Sequence, residues 1–320
     1  MKRKNLFLTI NLILCAVMFF SGSMAVYTAS AATSTADAVE NVELRDDCSL
    51  DITYSASDVT VVGEEIKLWH IADITADAEY TLAGSFKSYP ITVTGTSSQT
   101  EWNEMTVTLN SYILADGILP DYTAKTDENG KVSFKNLTAG IYLVGSVRTE
   151  KDEKNYIYES FLAAVPGIDA DGKWIYSVSA KPKVSENTPP RGGVNYKAVK
   201  IWKDNGKNRP DSVNIEIYKD GILHESVRLS AENDWMYTWT TVDANSVWSV
   251  VEKNVPDGYK VGIQKNGNTF NITNSKQYPG EDVPKTGDTT GTTLWLLLAA
   301  AAGMALVAAG ITQRKKYREE

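Results

Sequence analysis

Cysteine is almost absent from this chain: Cys15 and Cys48 are the two in 320 residues. That excludes a scaffold built on disulfides. Histidine is as scarce, and His70 and His224 stand apart, neither in a catalytic or metal-ligand spacing. The chain therefore reads as no enzyme, with no cofactor and no metal. Positive charge is not in excess either. The formal net charge is -8, and no basic patch offers itself to nucleic acid. Long apolar runs occur at the two ends and nowhere between.

The N-terminus reads MKRKNLFLTINLILCAVMFFSGSMAVYTASAA. A basic start, an apolar stretch and the small-residue site Ala29-Ser30-Ala31 are the three parts of a secretory signal peptide, residues 1–31, with cleavage between Ala31 and Ala32. At the other end, 294–311 is uncharged and just long enough to span a bilayer. The tail 312–320 carries Arg314, Lys315, Lys316 and Arg318, which stay on the cytoplasmic side. The body is thus expected outside the cell. Cys15 leaves with the signal peptide, and Cys48 is left without a partner. An exported chain with no disulfide must draw its robustness from elsewhere.

Turn-rich stretches divide the body. A first segment, 43–183, is followed by a linker, 184–193 (VSENTPPRGG), a second segment, 194–275, and a stalk, 276–282. Both segments are expected to be mainly β, as two tandem β-sandwich domains. In the first, Asp127-Glu-Asn-Gly130 predicts a turn before a strand at Lys131 to Phe134, and GIYLV (140–144) predicts another strand. One helix is inserted there: Trp102, Met105, Leu109, Tyr112 and Ile113 recur at helical spacing, with Ser98 and Glu101 as a capping box and Gly117 as the stop. The second segment has short strands between turns at Asp204 to Gly206, Asp220-Gly221 and Asp257-Gly258.

Alternate strand residues share a face. Lys200 lies with Tyr196, Ala198 and Trp202; Glu252 with Trp248 and Val250; Asn274 with Phe270 and Ile272. Each strand sets one polar residue among apolar ones, and buried charges need partners. Two readings fit. One is a buried Lys–Glu pair with an Asn at a strand end; the other is a functional set. Val199 and Ile201 make the opposite face apolar too, so periodicity leaves open which face is inside.

The stretches VKIWKDNGKNRPDSVNIEIYKDG, WMYTW, WSVVEKNVPDGY and FNITNS resemble the collagen-adhesin B-type (Cna-B) domain of Gram-positive surface proteins. They share its Lys-x-Trp-x-Asp opening, its Arg-Pro, its Glu ahead of Pro-x-Gly-Tyr and its closing Ile-Thr-Asn. The resemblance implies an Ig-like sandwich and a self-formed isopeptide bond, with Lys200 as the amine, Asn274 as the amide and Glu252 as the assisting acid. In the first segment, DGKWIYSVSAKPK is similar to the W-x-x-x-V-x-V-Y-P-K pilin motif, with Ala180 and Lys181 as departures and Val184 after the lysine where Asn is usual. That similarity implies Lys183 as the acceptor to which a sortase joins the next subunit. The alternation of 174–183 sets Lys183 on the polar, solvated face. The first segment shows no comparable Lys–Glu–Asn set.

Val283-Pro284-Lys285-Thr286-Gly287, followed by an apolar run and a basic tail, resembles the LPxTG cell-wall sorting signal. The resemblance implies cleavage between Thr286 and Gly287 by a sortase, with Val283 in place of Leu. Together these resemblances imply a sortase-assembled pilin or pilin-like subunit, anchored to the wall of a Gram-positive bacterium after transient membrane anchoring. Its expected partners are a sortase, the peptidoglycan precursor and other pilin subunits. The alternative is a monomeric wall-anchored adhesin binding a host or matrix ligand.

Overall fold

A computed structural model describes residues 41–276, apart from 57–58, 94–97, 153, 170, 188–192, 205, 207–208 and 243–245. The expected signal peptide with Ala31 and Ala32, the stalk beyond Lys276, the pentapeptide 283–287, the apolar run 294–311 and the basic tail lie outside the described residues. Among the described residues no helix is long and apolar enough to cross a membrane. The described chain is mainly β, with several sheets and one α-helix.

In the first half, Cys48–Thr53 pairs in parallel with Ser177–Ala180 and antiparallel with Lys131–Leu137. A larger sheet runs Phe161–Val165, Gly140–Val144, Glu65–Ile74, Tyr80–Leu82, with Tyr122–Lys125 also paired to Glu65–Ile74. All five residues of Gly140–Val144 are buried, because this strand has a packed layer on each side. Tyr142 and Val144 face the core formed with Leu50, Ile52, Val132 and Phe134. Ile141 and Leu143 face the helix, Gln99–Asp116.

The helix forms where its spacing predicts. Ser98 accepts from the Glu101 amide at 3.3 Å, and the Ser98 amide donates to the Glu101 carboxylate at 2.6 Å. Two of the otherwise orphaned N-terminal donors are thereby satisfied. Gly117 ends the helix at φ 62°, a left-handed conformation that costs glycine nothing. Met105, Leu109, Tyr112 and Ile113 are buried, and they join one apolar cluster that continues into the second half.

The stretch 184–193, expected as linker throughout, opens with a strand. Val184–Asn187 pairs with Lys154–Tyr158, which pairs in turn with Val147–Lys151. Val184 packs on the first-half core, and Glu186 meets Lys154 at 2.7 Å. Those contacts extend the first half beyond Lys183.

The second half is a sandwich of two sheets. One runs Met236–Thr241, Val194–Lys203, Thr269–Lys276, Tyr259–Asn266; the other runs Ile222–Ser230, Ser212–Lys219, Trp248–Glu252. The opening strand Val194–Lys203 and the closing strand Thr269–Lys276 are parallel neighbours, although they are the first and last strands of this half. Tyr196, Ala198 and Lys200 point inward, while Val199 and Ile201 are half-buried on the outside. The question that periodicity left open is answered by the second sheet, whose Ile215, Ile217 and Val250 cover the inward face.

Candidate functional site

The parallel register sets Lys200 opposite Ile272 and Trp202 opposite Asn274. Lys200 and Asn274 therefore share a face on adjacent strands, offset by one pleat. Glu252 reaches them from the end of its strand in the facing sheet. Its Oε1 accepts from Asn274 Nδ2 at 2.9 Å, and its Oε2 lies 3.3 Å from Lys200 Nζ as an ion-pair contact. Both charged side chains are fully buried, and Asn274 is 0% exposed. Lys200 Nζ also donates to the Ile272 carbonyl at 3.2 Å. The Asn274 Oδ1 is buried, and among the described residues it has no hydrogen-bond partner.

Burial sets the electrostatics. Loss of water pulls the Lys200 amine down to about 8, against the opposing pull of Glu252. The same loss pushes the Glu252 carboxyl up, against Lys200 and the Asn274 amide. Both shifts favour the neutral pair, an amine beside a carboxylic acid. A neutral lysine amine is a nucleophile, and a carboxyl group bonded to an amide nitrogen is placed to give that nitrogen a proton.

The site is walled by rings. The Trp202 ring lies 4.5 Å from Lys200 Nζ and is met edge-on by Trp235 and Tyr259. Past Trp202, Asp204 accepts from Arg209 Nε at 2.7 Å, the Tyr259 hydroxyl at 2.7 Å and the Gly206 amide at 2.9 Å. The Arg209 guanidinium beside it holds the Asp204 carboxyl well below the usual carboxylate range. Asp204, Arg209 and Tyr259 were motif letters without a role in the sequence; the fold joins them at one end of the site. A further neighbour gave no sequence signal beyond a tyrosine on an apolar helix face. Tyr112 donates its hydroxyl to the Glu252 backbone carbonyl at 3.0 Å.

Lys183 lies away from these residues. Its side chain is 78% exposed and stands 3.6 Å from Glu159. Ser177 and Ser179 are exposed and Val178 is buried, the alternation expected for that segment. His70 stacks on Tyr142, and His224 meets Trp248 edge-on. Cys48 is fully buried, and burial pushes its thiol up, away from the reactive thiolate.

No curated protein matches the chain. Among solved structures, one B repeat unit of the collagen binding surface protein Cna of Staphylococcus aureus is similar at 16% identity and TM-score 0.25, over 74% of this chain and 100% of that one. A minor pilin of Streptococcus agalactiae matches at 15% identity and TM-score 0.25, over 74% and 99%. The full-length major pilin of Corynebacterium diphtheriae matches at 16% identity and TM-score 0.27, over 73% and 67%. Overall likeness at these TM-scores carries no reading of function. The more specific match is to a family model: residues 196–275, which hold Lys200, Glu252 and Asn274, match the Cna protein B-type domain.

Proposed function

We propose that this chain is a structural cell-surface protein, a pilin or pilin-like subunit joined to the wall by a sortase and stabilised by an isopeptide bond between Lys200 and Asn274. The observation that carries the bond is the buried contact of Lys200, Glu252 and Asn274. Proton transfer within the ion pair gives a neutral amine and a carboxylic acid. Lys200 Nζ attacks the Asn274 side-chain carbonyl carbon, and the bond from that carbon to Nδ2 breaks. Glu252 takes a proton from Nζ and delivers one to Nδ2, so ammonia leaves and the carboxyl group is restored. Fixed proximity supplies the rate, since well-oriented groups reach effective molarities of roughly 10⁵ M or more. The product ties the first strand of the sandwich to the last and resists reduction.

Intact mass spectrometry tests the bond. The cross-linked chain is lighter than its sequence by one ammonia, and Glu252→Ala restores the full mass. A wild-type mass equal to that of its sequence overturns this reading.

Attachment rests on the VPKTG segment and on Lys183. In assembly, the Thr286 carbonyl would be passed to Lys183 of a neighbouring copy or to the peptidoglycan precursor. The second reading is a monomeric wall-anchored adhesin with a host or matrix ligand, in which Lys183 is an ordinary exposed lysine beside Glu159. Wall extracts separate the two: an SDS-resistant ladder lost in Lys183→Ala supports assembly, and a single wall-linked band in both strains supports the adhesin.

A further inference from the structure

The helix Gln99–Asp116 belongs to the first half, yet it lies along two open sheet edges of the second. Tyr259–Asn266 is the outer strand of the four-stranded sheet. Its Ile263 amide donates to Thr108 Oγ1 at 2.7 Å, and its Val261 amide donates to the Pro90 carbonyl at 2.8 Å. The Glu104 side chain of the helix lies over Gly262, where a Cβ would sit 1.8 Å from Glu104 Oε1. Trp248–Glu252 is the outer strand of the other sheet. Its last carbonyl, that of Glu252, accepts from Tyr112. The next residue, Lys253, is paired with Asp116, which also accepts from the Tyr89 hydroxyl. A helix thus covers edges that would otherwise present unpaired backbone groups.

One of these contacts bears on the reacting set. Glu252 ends its strand and has a strand neighbour, Ile215, on one side. On the other side the Tyr112 hydroxyl holds its peptide plane. Without that hydroxyl the Glu252 carbonyl is a buried acceptor lacking its partner, and the residue can tilt about the strand end. The carboxyl group has to meet Lys200 Nζ with one oxygen and Asn274 Nδ2 with the other, so a tilt moves it off both.

We propose that Tyr112 is a positioning residue for Glu252, so that cross-linking inside the second half is conditional on a group supplied by the first. The proposal rests on the isopeptide reading above. It makes the bond a record that both halves have folded and docked, since the sandwich alone lacks the hydroxyl that steadies its acid.

The test uses the full chain, made by pulsed cell-free synthesis and followed by intact mass. Tyr112→Phe removes the hydroxyl and keeps the ring. Ile113→Val, one residue along the same buried helix, controls for a general loss of packing. Tyr112→Phe is expected to lose ammonia at least about tenfold more slowly than wild type, since small displacements of reacting groups cost rate steeply. Ile113→Val should stay within about twofold. Equal rates for Tyr112→Phe and wild type, or equal slowing of both variants, overturn the proposal. A second measurement applies even if wild type loses no ammonia and the isopeptide reading itself fails. In a Lys200→Met chain, which cannot cross-link, Tyr112→Phe should move the ¹³C titration of the Glu252 carboxyl group, because the hydroxyl on the Glu252 backbone carbonyl sets where that carboxyl meets Asn274 Nδ2. An unmoved titration overturns the positioning role independently of the bond.

Discussion

Leu50, Ile52, Leu68, Tyr142 and Val144 fill the core of the first half, whereas the core of the second half encloses Lys200, Glu252 and Asn274 among its tryptophans and isoleucines. Neither charged side chain of the Lys200–Glu252 pair has any exposure. The first half is held by apolar burial, at about 1.5–3 kcal/mol for each large side chain. A buried ion pair contributes far less, because desolvation takes back most of the Coulomb gain, and well-packed apolar replacements often do as well. As a source of stability, the pair in the second half is therefore a poor exchange for two leucines. In the proposed cross-link the same two groups have a use, Lys200 as the nucleophile and Glu252 as the acid that assists its attack on Asn274, and burial favours the neutral forms that both roles need. Among the described residues the first half holds no buried lysine or glutamate.

The largest expected effect breaks this comparison at its centre. Glu252→Ala removes the acid and strands Lys200 in an apolar core. Breaking a buried pair costs about 3–5 kcal/mol. The closed loop between the joined residues is worth about 4 kcal/mol by the chain-entropy treatment used for disulfides. The unfolding temperature should drop sharply while the one-ammonia deficit from sequence mass disappears. In the first half, Leu143→Ala should cost about 2–5 kcal/mol as a cavity and keep the one-ammonia deficit from its own sequence mass. A Glu252→Ala chain as stable as wild type would show that the second half, too, is held by apolar burial alone.

Next is the seam. Leu109 is fully buried in the cluster that runs from the first-half sheet through the helix into the second sandwich. Leu109→Ala should cost about 2–5 kcal/mol, and it should raise amide exchange at Val261 and Ile263, the edge amides bonded to Pro90 and to Thr108 of the helix. Unchanged exchange at both would mean that the halves are independent.

A smaller effect compares two aspartate turns. Asp127 accepts from the Asn129 and Lys131 amides, both at 2.8 Å, and backbone bonds lower its pKa. Asp204 has Arg209 as its main partner and is lowered more strongly. A carboxylate with a depressed folded pKa contributes stability that is present above its unfolded value, about 4, and is lost as pH falls through the folded one. Wild type should therefore lose stability on acidification below about pH 4, and Asp204→Asn should flatten that loss more than Asp127→Asn does. Equal acid profiles for the two variants would remove the distinction.

Much of this was legible in the sequence. The helix, its Ser98–Glu101 box and its Gly117 stop are local features, and local chemistry decides them. Lys200, Glu252 and Asn274 were found because each interrupts an apolar strand face. Which face was inside was not legible, because Val199 and Ile201 give the opposite face the same character and the deciding layer comes from another sheet. The strand Val184–Asn187 has the composition of a linker, and its partner lies some thirty residues upstream, at Lys154–Tyr158. Tyr112 and Glu252 are 140 residues apart, and no spacing rule connects a tyrosine hydroxyl to a backbone carbonyl at that distance.

The smallest expected effect on stability is at Lys183. Its amine is exposed, and its contact with Glu159 is a surface pair, worth about 0–1 kcal/mol. Lys183→Ala should leave the unfolding curve within about 0.5 kcal/mol of wild type. Loss of the proposed assembly should be complete, because the sortase reaction needs an accessible amine as acceptor. The two lysines are opposites in this respect. Lys200 becomes nucleophilic by losing water, and it reacts with a neighbour fixed in the same sandwich. Lys183 keeps its water, and any reaction there needs an enzyme to bring an activated carbonyl to it. Glu159→Gln sharpens the contrast. It frees the Lys183 amine without removing it, so the SDS-resistant ladder should persist in Glu159→Gln and vanish in Lys183→Ala. A ladder that survives Lys183→Ala would place the acceptor elsewhere on the surface and leave Lys183 as an ordinary solvated strand end.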